Sequence, residues 1–150
     1  SIYLDQGKLD DAITQLSVTA EVDPNYKAVH RNLARAYLAK KDYDQALKHL
    51  DLELKLDPTA YDILVDRGAT NILLAKYDQA RTDLEGAVAA KPDLYNAYLK
   101  KAELAIAQEK YDEARQNLAK VLQLKKEAVE AYVQMGKVLV REKNYAEAKK

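Results

Sequence analysis

The sequence predicts an all-α solenoid built from antiparallel helix pairs, and three periodic columns of residues predict it. The stretch Lys41-Asp42-Tyr43-Asp44-Gln45-Ala46-Leu47 returns as Lys76-Tyr77-Asp78-Gln79-Ala80, as Lys110-Tyr111-Asp112-Glu113-Ala114 and as Asn144-Tyr145-Ala146-Glu147-Ala148, with Lys8-Leu9-Asp10-Asp11-Ala12 upstream. Tyr43, Tyr77, Tyr111 and Tyr145 are each 34 residues apart, as are Ala12, Ala46, Ala80, Ala114 and Ala148. A period of that size marks a stack of identical supersecondary units, each burying its apolar face on its neighbours. Pro24, Pro58 and Pro92 form the third column, each closing an Ala/Leu-rich stretch. Proline cannot continue a helix and drives its predecessor out of helical geometry, so these are stops.

The period divides the chain into units 1–26, 27–60, 61–94, 95–128 and 129–150, one continuous array with incomplete first and last members. In the second unit, Val29, Leu33, Ala36 and Tyr37 lie at helical spacing, and Ala46, Leu47, Leu50 and Leu54 repeat that spacing in a second helix from about Tyr43 to Leu56. The short Lys40-Lys41-Asp42 turn makes the two antiparallel. Asp42, or Asp44 one turn in, suits the start of the second helix, where a carboxylate caps free N–H groups. Ala34, Gly68, Ala102 and Gly136 keep one column small, so that two helix backbones can approach. The tyrosine column sits at the tight turn, where the ring packs and the hydroxyl stays wet.

The second unit, His30-x2-Leu33-Ala34-x2-Tyr37, then Ala46-x3-Leu50, then Pro58, resembles the tetratricopeptide repeat, with His30 in place of Trp and Leu50 in place of Phe. The fifth unit begins the same pattern with Tyr132-x2-Met135-Gly136-x2-Leu139 and then Ala148, and the resemblance covers the entire chain. It implies a right-handed superhelix with first helices inside and second helices outside. The pentatricopeptide readers of RNA differ by one residue of period, and the uniform spacing argues against them.

Composition bounds function. Lys plus Arg and Asp plus Glu balance at 24 each, which removes the positive field that nucleic acids and anionic membranes attract, so no nucleic-acid partner is expected. The charge is unevenly spread: residues 1–26 carry one Lys against five acids, and residues 95–150 carry twelve bases against eight acids. There is no Cys, hence no disulfide framework, thiolate nucleophile or Cys-based zinc site. No apolar run is long enough for direct membrane insertion, and a soluble, cytoplasmic setting is favoured over a periplasmic one without the compartment being fixed.

Catalytic chemistry is not found. His30 and His49 are 19 residues apart, read as packed and solvated residues without a helper group, and the isolated glycines form no phosphate-cradling loop. No enzyme activity, cofactor or metal is expected. More informative are the departures from the repeat pattern. Arg67 and Lys101 stand where Leu33 and Met135 do, and Asn71 stands where Tyr37, Ala105 and Leu139 do. Either their stems pack while their heads reach solvent, or Arg67, Asn71 and Lys101 form a polar cluster that holds a carboxylate from the protein or a ligand.

By resemblance, the concave face collects Arg31, Val65, Leu99 and Val133 in one column and Leu38, Ile72, Ile106 and Val140 in another, two turns on. Around them stand Arg35, Asp66, Lys100, Glu103 and Lys137. The expectation is a non-catalytic interaction scaffold whose apolar floor takes a peptide or helical segment of a partner protein, with the charged residues setting its orientation. The alternative for the apolar columns is that they pack within the stack. The family's chaperone-binding members hold a C-terminal carboxylate with basic residues and Asn. Arg31, Arg35 and Lys100 could imitate those bases, but Asp66 replaces the middle Asn and Asn96 a Lys, and an acid there repels such a ligand. The last unit should expose an apolar patch around Val138, Leu139, Tyr145 and Ala148 and be followed by a further repeat or capping helix. The rival function is an assembly scaffold that forms homo-oligomers through array ends or groove.

Overall fold

A computed structural model describes residues 2–26 and 28–150, with the side chains described from residue 5 onward. Among them are eight helices: α1 Ile2–Val22, α2 Val29–Ala39, α3 Tyr43–Leu56, α4 Tyr61–Leu73, α5 Tyr77–Ala90, α6 Tyr95–Ala107, α7 Tyr111–Leu124 and α8 Val129–Ala148. The pairs α2–α3, α4–α5 and α6–α7 are the three complete hairpins, and they stack into an all-α solenoid. First helices touch along the stack, α4 on α6 and α6 on α8, whereas the main contacts of α3, α5 and α7 are with first helices only. The face lined by α2, α4, α6 and α8 is therefore the tighter, inner one.

The hairpin turn has one backbone geometry in all three pairs. Lys41, Ala75 and Glu109 take left-handed φ values of 61°, 56° and 60°. The next N–H then reaches back to close the helix: Asp42 to the Tyr37 carbonyl at 2.9 Å, Lys76 to Asn71 at 2.8 Å and Lys110 to Ala105 at 2.8 Å. Asp42 caps α3 as the sequence predicts, its carboxylate accepting from the Gln45 N–H at 3.3 Å. The second helices end at Asp57, Lys91 and Lys125 in one extended conformation, φ −140°, −142° and −144°. Lys125 precedes a lysine rather than a proline, so Pro58 and Pro92 reinforce a turn that the stack itself fixes.

Packing follows the small and leucine columns. Ala34, Ala46, Ala80, Ala102 and Ala114 are fully buried, and so are Leu50, Leu84 and Leu118, each leucine contributing about 2–3 kcal/mol of transfer free energy. At Gly68 an added Cβ would lie 2.9 Å from Leu84 Cγ, so α4 and α5 meet there with no room for a side chain.

The outer helices depart from the period. The column of Lys41, Ala75 and Glu109 continues to Gly7 and Lys143, yet α1 and α8 pass straight through those positions. The expected second helix near Tyr145 is thus the continuation of α8. A left-handed non-glycine residue costs about 1–2 kcal/mol, which is offset only where the returning helix has a seam to bury. Of the patch expected on α8, Leu139, Tyr145 and Ala148 are exposed, but Val138 is buried against the preceding unit.

Candidate functional site: the inner face and its polar seams

Each of the inner-face charges predicted from sequence has found a partner inside the chain, apart from Lys137, which is exposed on α8. Arg31 on α2 reaches Asp62 of α4 at 2.8 Å and Glu53 of α3 at 3.6 Å. Arg35 faces Asp66 at 3.9 Å, and Lys100 holds Glu103 at 3.0 Å one turn along α6. Gln134 of α8 donates to Glu103 at 3.5 Å. Burial pushes the Asp66 carboxyl above the ordinary aspartate range, and Arg35 opposes that rise. The result is a row of charges of both signs across α2, α4 and α6, which ends on the neutral Gln134 of α8.

The apolar columns divide. Val65, Leu99 and Ile106 are 4%, 7% and 5% exposed and belong to the core, which corrects the expectation of an open apolar floor at these positions in favour of packing within the stack. Leu38 and Ile72 are half-buried. The inner helices pack so closely that a branched residue in those columns is covered by the neighbouring units. Only on α8 do the columns open: Val133 and Val140 are 53% and 61% exposed. Between α6 and α8 lies a hollow of about 420 Å³ lined by Tyr95, Asn96, Leu99, Lys100, Glu103, Val129, Glu130, Val133 and Gln134. It joins an apolar wall to polar groups of both signs. Tyr95 and Val129 were not foreseen from the sequence; they occupy the first position of their helices, the column of Tyr61.

Two polar seams lie between first and second helices. Arg67 donates to both carboxylate oxygens of Asp83, at 3.0 and 2.6 Å, and to Asp51 at 2.8 Å, and Asn71 donates to Asp83 at 3.2 Å. Asp83 is almost fully buried on α5. Of the sequence alternatives, the carboxylate-holding cluster is the one present: the carboxylate is the protein's own, and Lys101 plays no part in it. Asp83 was missed, although its column, Gln15, His49, Asp83 and Asn117, is polar in each of the first four units.

One unit earlier the same seam is aromatic. His30 and His49 touch through their Nδ1 atoms at 3.2 Å, His30 Nε2 lies 2.9 Å from the Pro24 carbonyl, and His49 stacks between His30 and Tyr37. This corrects the reading of His49 as solvated and of the two histidines as unrelated: the hairpin brings them together. The Pro24 contact makes His30 Nε2 a donor, so in the neutral pair His49 Nδ1 donates to His30 Nδ1. Burial lowers the basicity of His49, with the neighbouring His30 and Lys48 adding to it. Among the described residues no three His, Asp or Glu groups converge to hold a metal, and no helix is long and apolar enough to cross a membrane.

A family model described as tetratricopeptide repeat matches residues 3–67 and 105–150, and a second of the same description matches 74–125. No curated protein sequence matches the chain. Among solved structures, MamA superposes with a TM-score of 0.78 at 21% identity, covering 95% of this chain and 94% of its own. The first such domain of Spaghetti (RPAP3), bound to the HSP90 peptide SRMEEVD, superposes with a TM-score of 0.71 at 24% identity, over 75% of this chain and 90% of its own. The second domain of human RPAP3, in complex with the HSP70 peptide SGPTIEEVD, gives 0.68 at 17% identity, over 73% and 91%.

Proposed function

The chain belongs to the tetratricopeptide repeat family, and from that premise we propose that it is a non-catalytic interaction scaffold that takes a peptide segment of a partner protein along its inner face. The observation that carries this reading is the hollow between α6 and α8, where exposed Val129 and Val133 adjoin Lys100, Glu103 and Gln134. Apolar wall and convergent polar groups are what a peptide anchor needs: a buried side chain for affinity, and polar partners to fix its direction. Two structural neighbours carry chaperone peptides on the same fold. In this chain Arg31 and Arg35 are tied to Asp62 and Asp66, so a carboxylate-terminated peptide meets no free basic clamp there. The favoured partner is accordingly a segment with one apolar anchor and charges of both signs around it.

The test is selection from a displayed peptide library on the immobilised chain, with affinities of the enriched peptides measured against Val133→Asp. Enrichment of one apolar-anchored pattern, weakened at least tenfold by the substitution, supports the reading. No enriched pattern, or equal binding to Val133→Asp, overturns it.

A further inference from the structure

An arginine crosses from one unit to the next at two junctions of the stack and is replaced at a third. Between α5 and α7, Arg81 donates to Glu113 at 2.8 and 3.4 Å and to Gln108 at 3.0 Å. One period on, Arg115 of α7 donates to Asp112 at 2.8 Å and crosses to Glu142 of α8. One period back, the arginine column holds Leu47 and the Glu113 column holds Gln79. At that junction, among α3, α4 and α5, lies a hollow of about 540 Å³ lined by Leu47 and Gln79 together with Asp51, Asn71, Lys76, Asp78 and the Arg67–Asp83 pair. The hollow thus occupies the place where Arg81 and Glu113 meet one unit later.

Its lining is one positive charge short of the bridged junction. Around Arg81, the corresponding positions hold three bases, Arg81, Lys101 and Lys110, against three acids, Glu85, Asp112 and Glu113. Around the hollow, two bases, Arg67 and Lys76, stand against three acids, Asp51, Asp78 and Asp83. Asp83 is committed to Arg67 and Asn71, and Asp51 gives one oxygen to Arg67. Acceptors remain on three helices: the second oxygen of Asp51, the Asp78 carboxylate, the Gln79 amide and Asn71 Oδ1. Asn71 is 4% exposed and donates to Asp83, while its Oδ1 accepts no hydrogen bond among the described residues. An unpaired buried acceptor costs free energy that an incoming donor relieves. Lys76 does not forbid a cation, since its counterpart Lys110 acts on the same Glu113 carboxylate that Arg81 holds.

We infer that this hollow receives the guanidinium of an arginine side chain from a partner protein, which does between α3 and α5 what Arg81 does between α5 and α7. Half-buried Leu47 offers an apolar surface to the alkyl stem. The acceptors are spread over α3, α4 and α5, an arrangement that suits the planar fork of guanidinium donors better than the point charge of an ammonium. The site shares no residue with the inner-face hollow between α6 and α8, so it stands or falls separately from the peptide groove.

Nuclear magnetic resonance titration of the chain with a blocked arginine, N-acetyl-arginine N-methylamide, tests this. Saturable shifts are expected in the backbone amides of α3 and α5, and the correspondingly blocked lysine should bind about tenfold more weakly. Gln79→Glu restores the acid of the bridged junction and should tighten binding about fivefold. Leu47→Arg combined with Gln79→Glu copies the Arg81–Glu113 pair into the hollow and should abolish binding, with circular dichroism melting as the check of folding. Asp78→Asn, at an exposed position, should weaken binding about fivefold and keeps the test decisive if the double variant does not fold. Val133→Asp should bind the probe as the wild type does. Absence of saturable shifts in both the wild type and Gln79→Glu overturns the inference, as does equal binding of the blocked lysine or undiminished binding by a folded double variant. Free L-arginine binding more tightly than the blocked form overturns the assignment to a partner's side chain, because a site for the free amino acid would read its α-ammonium and carboxylate.

Discussion

The seam between α2 and α3 and the seam between α4 and α5 occupy one place in successive units, with one backbone turn beside them, and close it by different chemistry. The first uses a stack of His30, His49 and Tyr37, anchored on the Pro24 carbonyl. The second uses a guanidinium held by two carboxylates, with Asn71 completing Asp83. This aromatic stack is stabilised by area and by two neutral hydrogen bonds. An ion cluster is stabilised only while every charge keeps its partner. The repeat period therefore fixes where a hairpin closes and leaves open what it responds to: the first seam senses proton concentration, the second the loss of a charge.

Breaking the ion seam has the largest expected effect. Asp83→Ala leaves Arg67 with only the exposed Asp51 and deprives Asn71 of its acceptor, and chemical denaturation should show a loss of about 3–5 kcal/mol. Arg67→Leu should fall in the same range, since it leaves the buried Asp83 carboxylate with Asn71 alone. The triple variant Arg67→Leu, Asn71→Leu and Asp83→Leu should recover most of the loss, because replacing a whole buried polar cluster by apolar groups is close to neutral. If Asp83→Ala alone were neutral, the cluster would be a surface ion pair in effect.

The aromatic seam should respond to pH instead. Burial favours neutral His49, so its folded pKa lies below its ordinary value. A base whose pKa is depressed on folding contributes stability that is complete above the unfolded pKa, near 6.5, and is lost as the pH falls below it, where the unfolded chain binds the proton more readily. The melting temperature should therefore drop between pH 7.5 and 5, by less than Asp83→Ala lowers it at pH 7.5. His49→Gln should flatten that part of the profile. An unchanged profile in His49→Gln would place the acid sensitivity elsewhere.

Most of the fold was legible because it is periodic: the column pattern carries the three complete helix pairs, and the Tyr43 and Ala46 columns locate the turn of each. The seams were only half legible. Arg67 and Asn71 announced a cluster by breaking an apolar column, but their counter-charge lies 16 residues from Arg67 on the facing helix, and a residue there can be matched only once the hairpin register is known. His30 and His49 were separated for the same reason. On the inner face, side-chain identity did not reveal that Val65, Leu99 and Ile106 are covered, because coverage depends on how tightly the first helices wind. The run of α1 and α8 through the turn position was hidden for a further reason: Gly7 and Lys143 read as turn residues by column, and the column alone does not say whether the helix breaks there.

The smallest effect separates backbone from side chain in the comparison. Lys41 and Ala75 hold the same left-handed turn beside the two different seams. A left-handed Cβ costs about 1–2 kcal/mol, and glycine removes that cost while giving back about 0.5–1 kcal/mol in unfolded-chain entropy. Lys41→Gly and Ala75→Gly should each raise stability by about 0.5–1 kcal/mol, equally at pH 7.5 and 5, since neither touches a titrating group of its seam. Equal gains would show that the units share one turn and differ in their seams alone. A gain at Ala75 with a loss at Lys41 would show that the αL turn of the second unit leans on its lysine, and that the two hairpins differ in backbone as well as in chemistry.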